Sequence, residues 1–305
     1  MRFEKWQALG NDYLIVERDE LPCELTPARV RMLCDSHVGV GADGVLLLAR
    51  SENPEHVAEL RIFNPDGSEA ELSGNGAREA ILYLHRRGWT DRDEFAIGTA
   101  AGEIRPTITG PDTCTVDMGT ASLTSEDYPE VLGNGMGELQ AGGQTWRFQH
   151  VSIGNPQCAI YVPTLAELQA LDLSAIGPEI ESDERFPNRT NISWYTQVDP
   201  VRIRARIFER GVGETLSSGT GATGAAVAYT LHAGRDQSDG GTSGFASLAR
   251  PRLVTVVLDG GELEVELGED LRVHLTGWAR PVYTGRVSDE LIKELCERDK
   301  GAVRA

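Results

Sequence analysis

No uninterrupted apolar stretch in this 305-residue chain is long enough to cross a bilayer as a helix. The N-terminus, Met1-Arg-Phe-Glu-Lys-Trp6, lacks the basic-then-apolar layout of a secretory signal, so the cytoplasm is the expected compartment. Cysteine is scarce: Cys23, Cys34, Cys114, Cys158 and Cys296 are odd in number and widely spaced, which suggests neither a disulfide framework nor a zinc site. The six histidines form no close cluster with them, and no metal is expected. Basic residues are outnumbered, 29 Lys and Arg against 47 Asp and Glu, for a net charge of -18. A field of that sign repels phosphate backbones, and no Lys/Arg run offsets it, so nucleic-acid binding is not expected. The Gly-rich phosphate loop that ends in Lys-Ser or Lys-Thr is also absent.

What remains is an ordinary globular composition, 40% hydrophobic and 25% charged, long enough for one large domain or two average ones. Leu14–Val16 and Val45–Leu48 read as strands. Thr26 to Cys34 reads as a helix with Thr26 as N-cap and Pro27 at its first position. Ala77 to Arg87 reads as a longer helix stopped by Gly88, and Ala222 to His232 as a small-residue helix ended by Gly234. Val201 to Phe208 alternates apolar with basic residues, the mark of a half-buried strand. Leu253–Leu258 and Leu263–Leu267 read as a hairpin across Asp259-Gly-Gly261, and the polar, glycine-rich stretch Asp236–Gly244 as a surface loop.

The most informative feature is internal repetition. Glu69-Ala-Glu-Leu-Ser73-Gly-Asn-Gly-Ala77 is echoed by Glu214-Thr-Leu-Ser-Ser218-Gly-Thr-Gly-Ala222, and both run into an expected helix. Leu9-Gly-Asn11-Asp is echoed by Ile153-Gly-Asn155-Pro at nearly the same separation. A duplicated α/β unit follows. Glycines allow backbone N–H groups to approach a ligand closely, and the first N–H groups of a helix favour an anion. Two such helix starts facing one another would grip one carboxylate and bring Ser73 and Ser218 to opposite sides of it, the geometry of a two-base proton transfer at carbon. A single Ser-Gly-x-Gly would be an ordinary N-cap; the repetition is what makes it a site. Gly39-Val-Gly-Ala-Asp-Gly44 and Gly219-Thr-Gly-Ala-Thr-Gly224 both spell a dinucleotide fingerprint. The first leads into a strand and the second lacks a βαβ context, so a dinucleotide is not expected.

Taken in order, several motifs carry a family resemblance: Leu9-Gly-Asn-Asp12, Gly39–Gly44, Phe63-Asn-Pro-Asp-Gly-Ser68, Ser73-Gly-Asn-Gly76, Gly154-Asn-Pro156, Thr190-Asn-Ile192, Glu209-Arg-Gly211 and Gly213-Glu-Thr-Leu216 with Gly219-Thr-Gly221. The chain resembles the diaminopimelate epimerases over most of its length. The resemblance implies an α/β (α+β) fold of two pseudo-symmetric lobes, each a curled, mostly antiparallel sheet around a central helix. Residues 1–118 would form the first lobe, rejoined by 276–305 through Trp278-Ala-Arg-Pro-Val-Tyr283, and 119–275 the second. It implies epimerisation of LL- to meso-diaminopimelate by α-proton transfer without a cofactor, in the formation of lysine and peptidoglycan precursors. The partner would be a small amino-acid substrate, and neither nucleic acid nor membrane; a homodimer is permitted.

Carried over motif by motif, Gly74, Asn75, Gly219 and Thr220 would offer backbone N–H groups to the reacting carboxylate and to charge developing on the carbanion. Asn11 would frame the reacting centre. Asn64, Asn155, Asn191, Glu209 and Arg210 would hold the distal end, with Arg210 presenting a planar fork to a carboxylate and Glu209 facing an ammonium. Three positions depart from the family. Ser73 and Ser218 stand where it has catalytic cysteines, and Gln157 stands where it has a histidine that tunes a thiol. A serine hydroxyl is a far weaker acid than a thiol and needs an adjacent base, for which Glu209 is the candidate. None of the five cysteines lies in the equivalent motifs. The alternatives are therefore an isomerase on the same fold that uses Glu209 as its base, and an amino-acid-binding relative with little or no turnover.

Overall fold

The computed structural model describes residues 1–71, 73–129, 133–232 and 252–298. Its chain divides into two units, Met1–Val116 with Gly277–Ala305, and Asp117–Thr276.

The first unit begins with strands β1 (Arg2–Ala8), β2 (Asn11–Glu17), β3 (Val45–Ala49) and β4 (His56–Phe63), the short β5 (Glu69–Ala70), then β6 (Ala96–Thr99) and β7 (Gly102–Ile104). A late strand, β19 (Arg280–Arg286), pairs antiparallel with β1, giving the order β19-β1-β2-β3-β4-β6-β7 with β5 on β4. The β2–β3 and β4–β6 pairs are parallel and the other pairs antiparallel. A hairpin of β8 (Thr107–Gly110) and β9 (Thr113–Thr120) follows and carries the chain toward the second unit. Side chains alternate along a strand. On β2, Leu14 and Val16 enter an apolar cluster with Val30 and Leu33 of α1 (Pro27–Cys34) and Leu295 of α6 (Asp289–Glu297). Tyr13 and Ile15 therefore face the other side, where α2 (Gly74–Arg86) packs on β1, β2 and β3 with Asn75 through Leu84 buried.

The second unit repeats this plan. Its strands are β10 (Met136–Ala141), β11 (Gln144–Ser152), β12 (Pro156–Tyr161), β13 (Asn191–Asp199), β14 (Arg202–Glu209), β15 (Gly213–Thr215), β16 (Leu253–Leu258), β17 (Gly261–Leu267) and β18 (Arg272–Trp278). They run β10-β11-β12-β13-β14-β16-β17-β18 with β15 on β14; β12–β13 and β14–β16 are the parallel pairs. Helix α5 (Gly219–His232) lies against β11 to β14, β16 and β17 and is buried from Gly221 to Thr230. Two short helices, α3 (Leu165–Ala170) and α4 (Leu173–Glu181), add Leu168, Leu173 and Ile180 to a cluster with Phe148, Trp194 and Phe208. No described helix is long and apolar enough to cross a membrane.

The expected strands and the Leu253–Leu267 hairpin are present, and Thr26 caps α1 by accepting from the Arg29 N–H. Two helix starts differ from expectation. α2 begins at Gly74 rather than Ala77, and α5 at Gly219 rather than Ala222. Glycine's low helix propensity hides these first turns from a sequence reading, but a serine at the cap makes the next residue helical regardless. The cysteines require a correction: Cys23 and Cys296 form a disulfide with Cα atoms 5.8 Å apart. A sequence separation of 273 conceals a proximity that exists because α6 returns to α1. Gly234 and the Asp236–Gly244 stretch lie outside the described residues.

Candidate active site

Each unit builds the same device at the start of its buried helix. In the first, Ser73 is the N-cap of α2, and its Oγ accepts from the Gly76 N–H at 3.1 Å. In the second, Ser218 Oγ accepts from the Gly221 N–H at 3.2 Å, and the ladder of α5 starts with Ala222 N–H on the Ser218 carbonyl. Gly221 allows this helix start to sit down on the sheet, since a Cβ there would fall 2.8 Å from Ile207 Cδ1.

The asparagine of the preceding loop then ties itself to the second residue of each helix. Asn75 Nδ2 donates to Asn11 Oδ1 at 3.2 Å, and Asn155 Nδ2 donates to Thr220 Oγ1 at 3.3 Å. Both asparagines are held from behind. Asn11 Nδ2 donates to Asp43 Oδ2 at 3.0 Å, while Asn155 Oδ1 accepts from Gln157 Nε2 at 2.7 Å. The homology extends to the strand ends. Arg61 bonds Glu69 through Nε and Nη2, both at 2.8 Å, and Arg206 Nε bonds Glu214 at 2.9 Å. Phe63 pairs with Glu69 as Phe208 pairs with Glu214. Asn64 and Glu209 thus occupy equivalent positions.

The surroundings of the two serines are not equivalent. Ser73 Oγ accepts a second hydrogen bond, from the Tyr13 hydroxyl at 3.2 Å. Ser218 instead has the Glu209 carboxyl as its polar neighbour. Burial pushes the Glu209 carboxyl above its ordinary value, and the neighbouring Ser218 hydroxyl pulls it partly back. In its ionised form such a carboxyl can accept a proton.

Other expected site residues are engaged locally. Asn64 donates from Nδ2 to Ser68 Oγ at 3.0 Å and organises the Asn64–Ser68 turn. Asn191 donates to the Pro156 carbonyl at 3.1 Å and accepts the Arg210 N–H at 2.9 Å, which fixes the Glu209-Arg210 corner against β12. The Arg210 side chain is exposed and donates to the Asn188 carbonyl at 2.7 Å. Gly74 and Gly219 open their helices. Two participants escaped the sequence reading. Tyr13 stands at the repeat position of Gln157, a signal visible in the echoed loops. Arg78, fully buried, donates to Asn75 Oδ1 at 2.6 Å and to the Gly74 carbonyl at 3.0 Å, so it locks the first turn of α2.

No cysteine can take the place of the missing thiols in ionised form. Cys23 and Cys296 are paired, and Cys34, Cys114 and Cys158 are buried. Burial raises the Cys34 and Cys114 thiols to about 12 and the Cys158 thiol well above its ordinary value. Among the described residues, no group of three or more His, Cys, Asp and Glu side chains could hold a metal ion.

Comparison with known proteins agrees with this architecture. The diaminopimelate epimerase family model matches residues 3–124 and 149–282. A diaminopimelate epimerase from Trichodesmium erythraeum is 36% identical over 293 residues, spanning 94% of this chain and 99% of the relative. Diaminopimelate epimerase 1 from Nostoc sp. is 38% identical over 296 residues, spanning 94% and 99%. Among solved structures, a phenazine biosynthesis protein of the PhzF family from Bacillus anthracis shares the fold at a TM-score of 0.64 and 18% identity, covering 94% of this chain and 99% of that one. With the family model matched in both units and identity above a third across nearly the whole length, the chain belongs to the diaminopimelate epimerase family.

Proposed function

We propose that the protein epimerises diaminopimelate, interconverting the LL and meso forms by α-proton transfer without a cofactor, with Ser73 and Ser218 at the positions of the family's cysteines. The observation that carries this reading is the duplicated cap: in each unit a serine closes a glycine-rich helix start, and the loop asparagine fastens the residue two places on. Gly74, Asn75, Gly219 and Thr220 address the substrate carboxylate through their backbone N–H groups, where the helix dipole favours an anion and stabilises the carbanion. Glu209 supplies the basicity that a serine lacks. Asn11, Asn64, Asn155, Asn191 and Arg210 recognise the rest of the amino acid. The site is expected to act in the cytoplasm on a free small molecule.

Incubation with LL- or meso-diaminopimelate in deuterated water tests the reading. Deuterium entering Cα with inversion supports it; binding without exchange supports an amino-acid-binding relative, and no binding rejects the substrate. The pair Ser73→Cys and Ser218→Cys is expected to raise exchange about tenfold or more, because a thiol near neutrality already has a few per cent of thiolate. No gain would mean that the two positions do not serve proton transfer. A second reading, an isomerase with Glu209 as sole base, draws on the buried Glu209 carboxyl beside Ser218; it requires exchange from one stereoisomer without inversion.

A further inference from the structure

We propose that Tyr13 is a proton-positioning residue for Ser73, acting as the reservoir behind a serine that donates to the carbanion. This rests on the epimerase reading above. Ser73 Oγ accepts two hydrogen bonds, from the Gly76 N–H at 3.1 Å and from the Tyr13 hydroxyl at 3.2 Å. With both acceptor sites taken, the hydroxyl's own proton is directed away from these two groups. Ser218 has no such phenol and stands beside the Glu209 carboxyl instead. The two serines are thus preset for unlike tasks, one facing a phenol and the other a carboxylate.

The phenol is held there by construction. Tyr13 is 5% exposed, and its ring occupies the space that a Cβ on residue 44 would fill, at 2.4 Å from Tyr13 Cε1. Gly44, the last glycine of the motif that imitates a dinucleotide fingerprint, therefore makes room for a ring. Its neighbour Asp43 is used as well, accepting from Asn11 Nδ2 and from the Asp12 N–H, both at 3.0 Å. The loop from 39 to 44 braces both the reacting-centre asparagine and the tyrosine.

The step balances simply. The Ser73 O–H bond breaks as a C–H bond forms at Cα, and the Tyr13 O–H bond breaks as its proton restores Ser73. The charge ends on the phenolate, which takes a proton from water. In the reverse direction the phenolate accepts the serine proton as Ser73 takes the α-hydrogen. A phenol is a much stronger acid than an alkyl alcohol, so the relay avoids a free alkoxide. A thiol in place of the serine would not need it.

A double-mutant cycle in the deuterium assay tests this. Tyr13→Phe keeps the ring and removes the hydroxyl. It is expected to slow inversion by about a hundredfold, in the range of lost acid–base assistance, while the isomer whose α-hydrogen is removed on the Glu209 side still exchanges. In the Ser73→Cys background the same change should cost less than about threefold, whereas a merely structural role would cost the same in both. Equal losses in the two backgrounds, or no loss in either, overturn the relay and leave the epimerase reading standing. Absence of exchange in the unsubstituted protein removes both.

Discussion

The two units are built on one plan and differ at two side chains beside the serine. Residues 145 apart match closely: Arg61 with Arg206, Phe63 with Phe208, Glu69 with Glu214, Ser73 with Ser218. Strand order, the positions of the parallel pairs, the capping serine and the asparagine clasp all repeat. At the two remaining positions around the serine, the first unit has Tyr13 and Asn64 and the second has Gln157 and Glu209. The backbone frame is kept and the polar groups beside the serine differ. One half sets a carboxyl beside its serine and the other a phenol on it. Like frames therefore hold their serines in surroundings of unlike polarity.

The largest expected effect comes from removing that polarity at its base. Glu209→Gln preserves shape and should lower α-deuterium exchange by about a thousandfold, within the span of lost general-base catalysis. In the unsubstituted protein the acid limb of exchange should lie above the ordinary carboxylate range, because burial raises the Glu209 carboxyl. The stability sign follows from the same shift. The folded state holds the Glu209 proton more tightly than the unfolded state does, so the group favours folding at low pH and that advantage is lost as pH rises through the raised value. Glu209→Gln should therefore leave the melting temperature at neutral pH unchanged or higher while exchange collapses. A variant that loses both would make Glu209 a structural residue and end its comparison with Asn64 as a functional one.

A smaller difference lies in how the units are tied. The first carries the Cys23–Cys296 bond between the chain ahead of α1 and the end of α6, whereas in the second the sole described cysteine, Cys158, is free and buried. Arg29 reinforces the same junction, donating from Nε to the Leu295 carbonyl at 2.8 Å. Cys23→Ser with Cys296→Ser is expected to cost about 2–4 kcal/mol, typical of a native cross-link. Hydrogen exchange should report the loss in α1 and α6 and not in α5. Equal destabilisation of both helix sets would show that the units unfold as one.

The repeat, the capping serines and the asparagines were legible in the sequence because each is a local pattern, and duplication raised weak patterns above chance. Most strands and the Thr26-Pro27 helix start were legible for the same reason. What escaped was nonlocal. The Tyr13 hydroxyl meets Ser73 across 60 residues, and Cys23 meets Cys296 across 273. Arg78 carries no local mark of its role, yet α2 buries it completely. Helix starts were placed late because glycines weaken the propensity signal at the position where close approach requires them.

The finest test of the comparison uses the matched ion pairs, which have the same chemistry in unlike surroundings. The Arg61 side chain is 40% exposed and, among the described residues, bonds only Glu69 through its nitrogens, with its guanidinium carbon 4.9 Å from the centre of the Phe63 ring. The Arg206 side chain is 16% exposed, and its Nη1 also donates to the carbonyls of Leu168 at 3.0 Å and Leu171 at 2.8 Å, joining the end of α3 to β14. An exposed pair contributes at most about 1 kcal/mol, whereas carbonyls stripped of their donor lose hydrogen bonds worth about 1–3 kcal/mol together. Arg61→Gln should therefore lower stability in urea by less than about 1 kcal/mol, and more weakly at high salt. Arg206→Gln should cost about 2 kcal/mol, and only the part due to the Glu214 pair should weaken with salt, since the other lost bonds run to neutral carbonyls. If the two variants cost the same, the carbonyl bonds of Arg206 contribute nothing, and the second unit's α3–β14 junction must be held by apolar packing of Leu168 alone.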